Sequence, residues 1–237
     1  MFHRLFDPLK ALEKKRLKLR PLPSWPAEVQ EYLSCPLPQA DIPLDQQDLL
    51  VIDFETSGLD PLKDKILSIG TVTIHQQRIL LRSASHQYLA QPHSVRQKTA
   101  CINHIVPEKL IHGVQTQAAL LNLLQQAQGK IVVAHCAVIE QRFIQQLLLA
   151  NHLPVLPIVW LDTFMLEKSL MANRQSAQEY NLQQVRQRYG LPDYPAHDAL
   201  SDAIATAELL LCQIKTIFSG DIPELLPLYQ RSRRGQS

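Results

Sequence analysis

The chain has 237 residues, of which 46% are hydrophobic and 19% are charged, as in an ordinary globular protein. This composition excludes a wholly disordered chain, and the length fits one domain with an appendage. No apolar run approaches the ~18 residues that span a bilayer, and the first eight residues lack the apolar stretch of a signal peptide. We therefore expect no association with a membrane.

The formal net charge of +2 is unevenly distributed along the chain. Residues 1–20 carry a net charge of +5 and the tail from Arg231 carries +3, so the long middle region is negative. A negative middle suits a site whose carboxylates are neutralised by bound cations. The cysteines are widely spaced, at Cys35, Cys101, Cys136 and Cys212. The absence of a C-x-x-C pair favours reduced thiols in the cytoplasm over a zinc site or disulfides.

Residues 1–47 differ in composition from the rest of the chain. Apolar residues recur at helical spacing from Phe2 to Leu12, and a basic run at 14–20 follows. The prolines between Pro21 and Pro43 then favour extended chain. We predict a short amphipathic helix and a Pro-rich extension. Two interpretations stay open: a docking arm for a partner or nucleic acid, or a segment packed on the protein's own surface.

An α/β pattern begins at residue 48. Continuous apolar runs predict buried strands, helical periodicity predicts amphipathic helices, and Gly129 and Gly190 mark two helix ends. The predicted strands cover 49–54, 66–74, 78–82, 130–134 and 157–161, and the predicted helices cover 115–128, 138–149, 181–189 and 198–214. This order indicates one α/β domain with a mixed central sheet flanked by helices. We place it at 48–218, before a C-terminal tail at 219–237.

Two acids, Asp53 and Glu55, end the first predicted strand. An unpaired carboxylate is costly at the end of a buried strand, and side chains two residues apart point to the same side. Two like charges held together need a cation, and hard oxygen ligands suit magnesium or manganese. A solvated strand end that carries both acids is the alternative interpretation.

Two further segments carry acids near predicted helix starts. Glu140 lies in the first turns of the helix after the fourth strand, where the helix dipole favours an anion. His197 precedes the last long helix, and Asp202 lies about one turn inside it. Asp198, four residues before Asp202, is suited to cap that helix. Taken singly, each acid is typical of a helix start, and a lone histidine there is more often structural than catalytic.

Together these segments resemble the motifs of the DEDDh branch of the DnaQ-like 3′→5′ exonucleases. Residues 52–61 resemble the first motif nearly residue for residue, 135–144 resemble the second, and 197–203 resemble the third. Asn103-His104-Ile105 and Asp162-Thr163 resemble two shorter elements of the family. Three motifs in the right order are much more specific than any one of them.

The resemblance covers roughly residues 48–215 and is greatest to the proofreading epsilon subunits of bacterial polymerase III. It implies a ribonuclease H-like fold and metal-dependent hydrolysis of single-stranded or frayed 3′ ends to nucleoside 5′-monophosphates. Two divalent ions, Mg²⁺ or Mn²⁺, would be held by four carboxylates: Asp53, Glu55, Glu140 and Asp202. His197 would be the general base. The resemblance also implies six substrate-binding residues: Phe54, Thr56, Leu59, His104, His135 and Phe143. For Phe143, a core role on its own helix is an equally open interpretation.

Glu140 departs from the family pattern, which usually has aspartate at this position. Cys136 and Ile139 also replace the usual asparagine and phenylalanine. Glutamate keeps the charge on a longer side chain. This change is compatible with weaker metal binding, with a preference for manganese, or with reduced activity.

Two hypotheses from different classes follow from these observations. The first is an active exonuclease, on DNA rather than RNA, that works with a DNA polymerase or another replication or repair protein. The second is a weakly active or inactive module that binds nucleic acid or a polymerase through its basic N-terminal segment. A hydrolase with a different nucleophile lacks support, because the chain has no G-x-S-x-G motif.

Overall fold

The computed structural model describes residues 7–95, 103–170 and 180–233, and in these ranges five strands form one mixed sheet. The strands are β1 (Leu49–Thr56), β2 (Ile66–His75), β3 (Arg78–Tyr88), β4 (Ile131–Ala134) and β5 (Trp160–Asp162). Their spatial order is β3-β2-β1-β4-β5. The hairpins β1–β2 and β2–β3 are antiparallel, whereas β4 and β5 run parallel to β1. This arrangement confirms the predicted mixed sheet.

Helices cover both faces of this sheet. They are α1 (Pro8–Lys18), α2 (Ala27–Ser34), α3 (Pro107–Ile111), α4 (Thr116–Ala127), α5 (Val138–Ala150), α6 (Thr163–Leu170), α7 (Leu182–Arg188), α8 (Ala199–Ile217) and α9 (Leu225–Arg233). The predicted caps are confirmed: Asn181 accepts a bond from the amide of Gln184, and Asp198 accepts one from the amide of Ser201. Gly129, at φ 64°, follows the end of α4 as predicted.

The strand β1 separates two hydrophobic cores. Leu50, Ile52 and Phe54 face the first core, together with α2, α4 and α5. Leu49 and Val51 face the second core, together with α6, α8 and α9. Because side chains alternate along a strand, Asp53 and Glu55 continue the face that α8 covers.

The bounds of three predicted strands differ from the structure by one or two residues at one end, and those of β3 and β5 differ more. β3 continues to Tyr88 rather than ending at residue 82, because its polar second half is an edge strand that pairs with β2 and stays half-buried. β5 spans only Trp160–Asp162 rather than 157–161. Pro157 lacks the N–H that a strand ladder requires, so the apolar residues at 157–159 did not form the predicted strand.

The N-terminal segment is more helical than predicted. Asp7 caps α1 and Pro8 occupies its first turn, so the basic run at 14–20 lies largely inside the helix instead of after it. Residues 1–6, which carry part of the predicted apolar pattern, lie outside the described residues. The helix α2 was not predicted; it starts after Pro26, where the missing N–H costs nothing. Its buried side chains support the interpretation of a segment packed on the protein itself.

The region predicted as a C-terminal tail also contains a helix. In α9, the side chains of Leu225, Leu228 and Tyr229 are buried in the second core. None of the helices in the described ranges combines the length and the apolarity that a membrane span requires. Cys35, Cys136 and Cys212 are free thiols, and Cys101 lies outside the described residues.

Candidate active site

A close contact between β2 and α8 brings two of the predicted acids together. Asp53 pairs with Gly70 of β2. A Cβ atom added to Gly70 would lie only 2.0 Å from the carbonyl oxygen of Ala199, the first residue of α8. Only glycine fits this approach, which sets the first turns of α8, with Asp202, beside the carboxyl end of β1.

The start of α8 carries the predicted histidine. The backbone N–H of His197 donates a hydrogen bond of 2.8 Å to Oδ2 of Asp202, and His197 is in the left-handed region at φ 65°. Potential ligand atoms of Glu55, His197 and Asp202 lie within 4.8 Å of one another. The first and third predicted motifs therefore meet in space, although 142 positions of sequence separate Glu55 from His197.

Asp162, an acid that the prediction did not place in the site, holds the second motif (residues 135–144) in position. Oδ1 of Asp162 accepts from the amide of Cys136 at 3.0 Å, and Oδ2 accepts from the amide of Ala137 at 3.1 Å. These bonds fix the turn between β4 and α5, where Cys136 has φ 66°. Asp162 thereby orients the first turn of α5, which carries Glu140. The resemblance of Asp162-Thr163 to a family element was the signal that pointed to this role.

The other three predicted carboxylates lie within electrostatic reach of Asp53. Burial, followed by the charges of Glu140, Asp202 and Glu55, raises the pKa of Asp53 well above its ordinary value. Burial raises the pKa of Glu55 to about 7, and the charge of Asp202 adds to this effect. Burial also raises the pKa of Glu140 to about 8 and that of Asp202 above its usual range. Crowded, desolvated acids are typical of a functional site.

These carboxylates fit a hard divalent cation. No lysine or arginine within the described ranges forms an ion pair with any of the four. Glu140 is 3% exposed, and its Oε2 has no hydrogen-bond partner among the described residues. A buried, unpaired carboxylate oxygen beside two further acids is a costly arrangement that a bound cation would relieve. Neither Asp53 nor Glu140 is part of the tight group formed by Glu55, His197 and Asp202.

Asn103 is a second residue that the predicted site lacked. It is buried, and its side chain hydrogen-bonds Glu55, which lowers the pKa of that carboxyl and so opposes the effect of burial. The neighbouring His104 is exposed and has φ 53°. His104 and Glu55 both line a cavity of about 200 Å³, and a second cavity of about 290 Å³ contains Asp53, His197 and Asp202.

The other predicted substrate-binding residues have varied surroundings. Phe54 is buried on the sheet face opposite the carboxylates, and Phe143 is buried in the same core. His135 lies at the cavity of about 290 Å³, where its Nε2–H donates a hydrogen bond of 2.8 Å to the carbonyl of Tyr180 and its Nδ1 accepts one of 2.8 Å from the hydroxyl of Thr163. Burial lowers the pKa of His135 to about 4, so this ring is neutral at pH 7.

Thr56 is the last residue of β1, and Leu59 follows three residues later. The hydroxyl of Thr56 donates to the carbonyl of Gly58 at 2.8 Å, which tightens the turn after Glu55. Leu59 is 72% exposed beyond this turn. Of the six predicted substrate-binding residues, His104 and His135 line cavities that contain site residues, and Phe54 and Phe143 serve the core.

Comparison with known proteins places these observations in a family. Residues 50–210, more than half of the chain, match the RNase_T family, which is described as an exonuclease family. The chain is 32% identical over 166 residues to a PolC-type DNA polymerase III of Thermotoga maritima, a match that covers 68% of this chain and 11% of that protein. It is 26% identical over 163 residues to the DNA polymerase III subunit epsilon of Treponema pallidum, covering 68% of this chain and 74% of the subunit. The chain thus spans about a tenth of the PolC-type relatives.

Solved structures share the fold at low sequence identity. Escherichia coli exonuclease I, in its zinc-bound complex with single-stranded DNA, superposes with a TM-score of 0.63 at 15% identity, covering 72% of this chain and 41% of that one. Exonuclease X, in complex with 5′-overhanging duplex DNA, gives 0.58 at 20% identity, covering 76% and 99%. These likenesses confirm the predicted ribonuclease H-like fold. With three motifs joined around one carboxylate cluster and the family matched across residues 50–210, the chain belongs to the RNase_T exonuclease family.

Proposed function

We propose that this protein is a metal-dependent 3′→5′ exonuclease that releases nucleoside 5′-monophosphates from single-stranded or frayed 3′ ends. The observation that carries the proposal is the convergence of four desolvated carboxylates, from β1, α5 and α8, beside the imidazole of His197. Family membership supports the reaction class. A paired 3′ terminus does not reach a buried cluster of this kind, so the end must fray.

In the proposed reaction, a water oxygen forms a bond to the last phosphorus of the strand. His197 takes a proton from this water. The bond from phosphorus to the 3′ oxygen of the preceding nucleotide then breaks, and that oxygen regains a proton. His197 is suited to this role because it is exposed at the cleft while its backbone N–H is tied to Asp202. Asp162 orients the turn before Glu140, and Asn103 orients the side chain of Glu55.

Asp53, Glu55, Glu140 and Asp202 are the proposed ligands of two divalent ions, Mg²⁺ or Mn²⁺. Bound ions of this kind lower the pKa of a water molecule and stabilise the charge that develops on the leaving 3′ oxygen. The unpaired oxygen of buried Glu140 supports its inclusion in the ligand set. Its longer side chain leads us to propose a preference for manganese.

DNA is the proposed substrate, and a DNA polymerase or another replication or repair protein is the proposed partner. Two similar structures are complexes with DNA, and several relatives are DNA polymerase III proteins. The cytoplasm is the compartment that we propose for such a protein. Thr56, Leu59, His104 and His135 are proposed to contact the terminal nucleotide, whereas the burial of Phe54 and Phe143 leaves them an indirect role.

The test is release of mononucleotides from 3′-labelled single-stranded DNA, with Mg²⁺ or Mn²⁺, for the full chain and for Asp53→Ala. We expect release by the wild type and a loss of at least about 10²-fold in the variant, because Asp53 is central to the carboxylate cluster. Asp48→Ala is the matched control, because Asp48 lies just before the other end of β1, where its side chain contacts His75 at 2.6 Å. This control should keep its activity.

A second readout follows metal binding without catalysis. Mn²⁺ should raise the unfolding temperature of the wild type and of Asp48→Ala but much less that of Asp53→Ala, since a ligand that binds only the folded state stabilises it. No release with either metal from a folded wild type would overturn the proposal and favour a nucleic-acid-binding module. An equally labelled RNA distinguishes the two substrates: faster release from RNA would contradict the assignment to DNA.

A further inference from the structure

The segment that carries His197 has no regular structure of its own. It runs from Tyr189, at the end of α7, to Asp198, the cap of α8, and we call it the histidine loop. Most of its residues are exposed, so it has little core packing to fix its position. His197 itself is in the left-handed region, which a residue other than glycine adopts only when its surroundings impose it.

Arg186 of α7 holds this loop to α8. Its side chain is 3% exposed. Nη1 donates a hydrogen bond of 2.7 Å to the carbonyl of Ala205 in α8, and Nη2 donates one of 2.8 Å to the carbonyl of Pro192 in the histidine loop. Nη2 also lies 2.9 Å from Oε2 of Glu208, one turn further along α8. One buried guanidinium thus joins three points of two elements.

Tyr194 completes the contact from the side of the loop. The guanidinium carbon of Arg186 lies 4.7 Å from the centre of the Tyr194 ring, within the range of a cation–π interaction. The Tyr194 hydroxyl donates a hydrogen bond of 2.9 Å to Oε1 of Glu208. Arg186, Tyr194 and Glu208 therefore form a closed group, which we call the arginine clamp.

The arginine clamp lies directly beside the carboxylate site. Arg186, Tyr194, His197 and Asp202 line the same cavity of about 290 Å³. The clamp fixes the loop at Pro192 and Tyr194, and the bond from the His197 N–H to Asp202 fixes its end. Ala205, which accepts from Arg186, lies three residues after Asp202 on α8. The same helix thus anchors the loop at both points.

We infer that Arg186 is a positioning residue that acts through His197: it sets the imidazole against Asp202 and the attacking water without touching the substrate. This inference rests on the proposed exonuclease function and names a part of its machinery. Displacing a catalytic group by about 1 Å costs on the order of 10²-fold in rate. A loosened loop should therefore lower kcat while substrate binding by other residues keeps KM nearly constant.

The chain offers a matched control on the same helix. Arg188, two residues along α7, forms a 2.8 Å ion pair with fully buried Glu167 of α6. Within the described ranges, its side chain forms no hydrogen bond or ion pair with the histidine loop. Lysine in place of either arginine keeps the charge but loses the planar fork that binds several acceptors at once. Arg186→Lys and Arg188→Lys should thus both lower the unfolding temperature.

The experiment measures kcat and KM on single-stranded DNA at a temperature where all variants are folded. We expect Arg186→Lys to lose about 10- to 100-fold in kcat, with KM within about twofold of the wild type. Arg188→Lys should keep kcat within about twofold. Tyr194→Leu removes the stacking ring and leaves the buried charge in place, so it should reproduce the kcat loss. This second variant keeps the inference testable if Arg186→Lys does not fold.

A double-mutant cycle separates positioning from a general structural effect. If Arg186 acts through His197, adding Arg186→Lys to His197→Ala should slow the reaction no further, because the group to be positioned is gone. Additive losses, or unchanged kcat in both Arg186→Lys and Tyr194→Leu, would overturn the inference. An inactive wild type would instead overturn the proposed exonuclease function, so the two failures are distinguishable.

Discussion

Glu140 is the site residue that departs from the family pattern, which usually has aspartate at this position. Its carboxylate is buried, and one oxygen has no partner among the described residues. Asp162 adds a second negative charge nearby, since it contributes to raising the pKa of Glu140. The ionised form of Glu140 is therefore costly in the metal-free protein. The extra methylene group also lets the carboxylate adopt more positions, of which only some suit a bound metal.

Glu140→Asp should retain or raise exonuclease activity and reduce the preference for manganese. The shorter side chain loses fewer rotamers when it is fixed, and it keeps the charge. The measurement is kcat with Mg²⁺ and with Mn²⁺, and their ratio should move toward magnesium. Glu140→Gln, which keeps the length and loses the charge, is the control and should lose at least about tenfold in activity. A large loss in Glu140→Asp would show that the pocket is built around the longer side chain.

At the scale of elements, the site depends on how closely α8 approaches the sheet. Gly70 makes this approach possible, and α8 carries two buried residues with small side chains in its first turns, Ala199 and Ala203. The carboxyl end of β1 and the start of α8 are thus set by a packing contact that involves no catalytic group. A small change in this contact should act on activity more strongly than on stability.

Gly70→Ala should destabilise the protein by about 1–3 kcal/mol, because the added methyl group overlaps the Ala199 carbonyl and α8 must shift. The shift moves Asp202 away from Asp53, so we expect a loss of at least about 10²-fold in kcat in the folded variant. Urea unfolding and DNA hydrolysis measure the two effects.

Thr71→Ala is the control for this prediction. Thr71 follows Gly70 in β2, and its hydroxyl donates a 2.9 Å bond to Gln126 of α4, on the other side of the sheet. Its loss should cost about 1 kcal/mol and leave kcat nearly unchanged. Equal losses of kcat in the two variants would contradict a specific role for the β2–α8 approach.

The strands and helices that carry the site were predictable because each has a local signal. The apolar run of β1 and the capping Asp198 of α8 are read within a few residues. Contacts between distant segments leave no such signal. Cys136 and Asp162 are 26 residues apart, and no periodicity links Arg186 to Pro192 or Ala205. For the same reason the sequence left Phe143 equally open to a core role and a substrate role.

At the scale of the whole molecule, residues 7–47 belong to both faces of the fold. Val29, Tyr32 and Leu33 complete the first core, and the hydroxyl of Tyr32 donates a 3.0 Å bond to the carbonyl of Pro157. Leu9 and Leu44 complete the second core. We propose residues 48–218 as the catalytic unit and, within the N-terminal extension at 1–47, residues 7–47 as a covering that this unit needs in order to stay folded.

Two single leucine substitutions in the N-terminal segment, one buried and one exposed, test this dependence. Leu33, on α2, is 4% exposed, whereas Leu17, on the basic helix α1, is 65% exposed. Leu33→Ala should lower the free energy of unfolding by about 2–5 kcal/mol, because it removes buried methyl groups and leaves a cavity. Leu17→Ala should change it by less than about 0.5 kcal/mol. Urea unfolding measures both, and kcat at a temperature where both variants are folded should stay near that of the wild type. Similar small changes in stability would mean that α2 is a detachable arm and that the first core is complete without it.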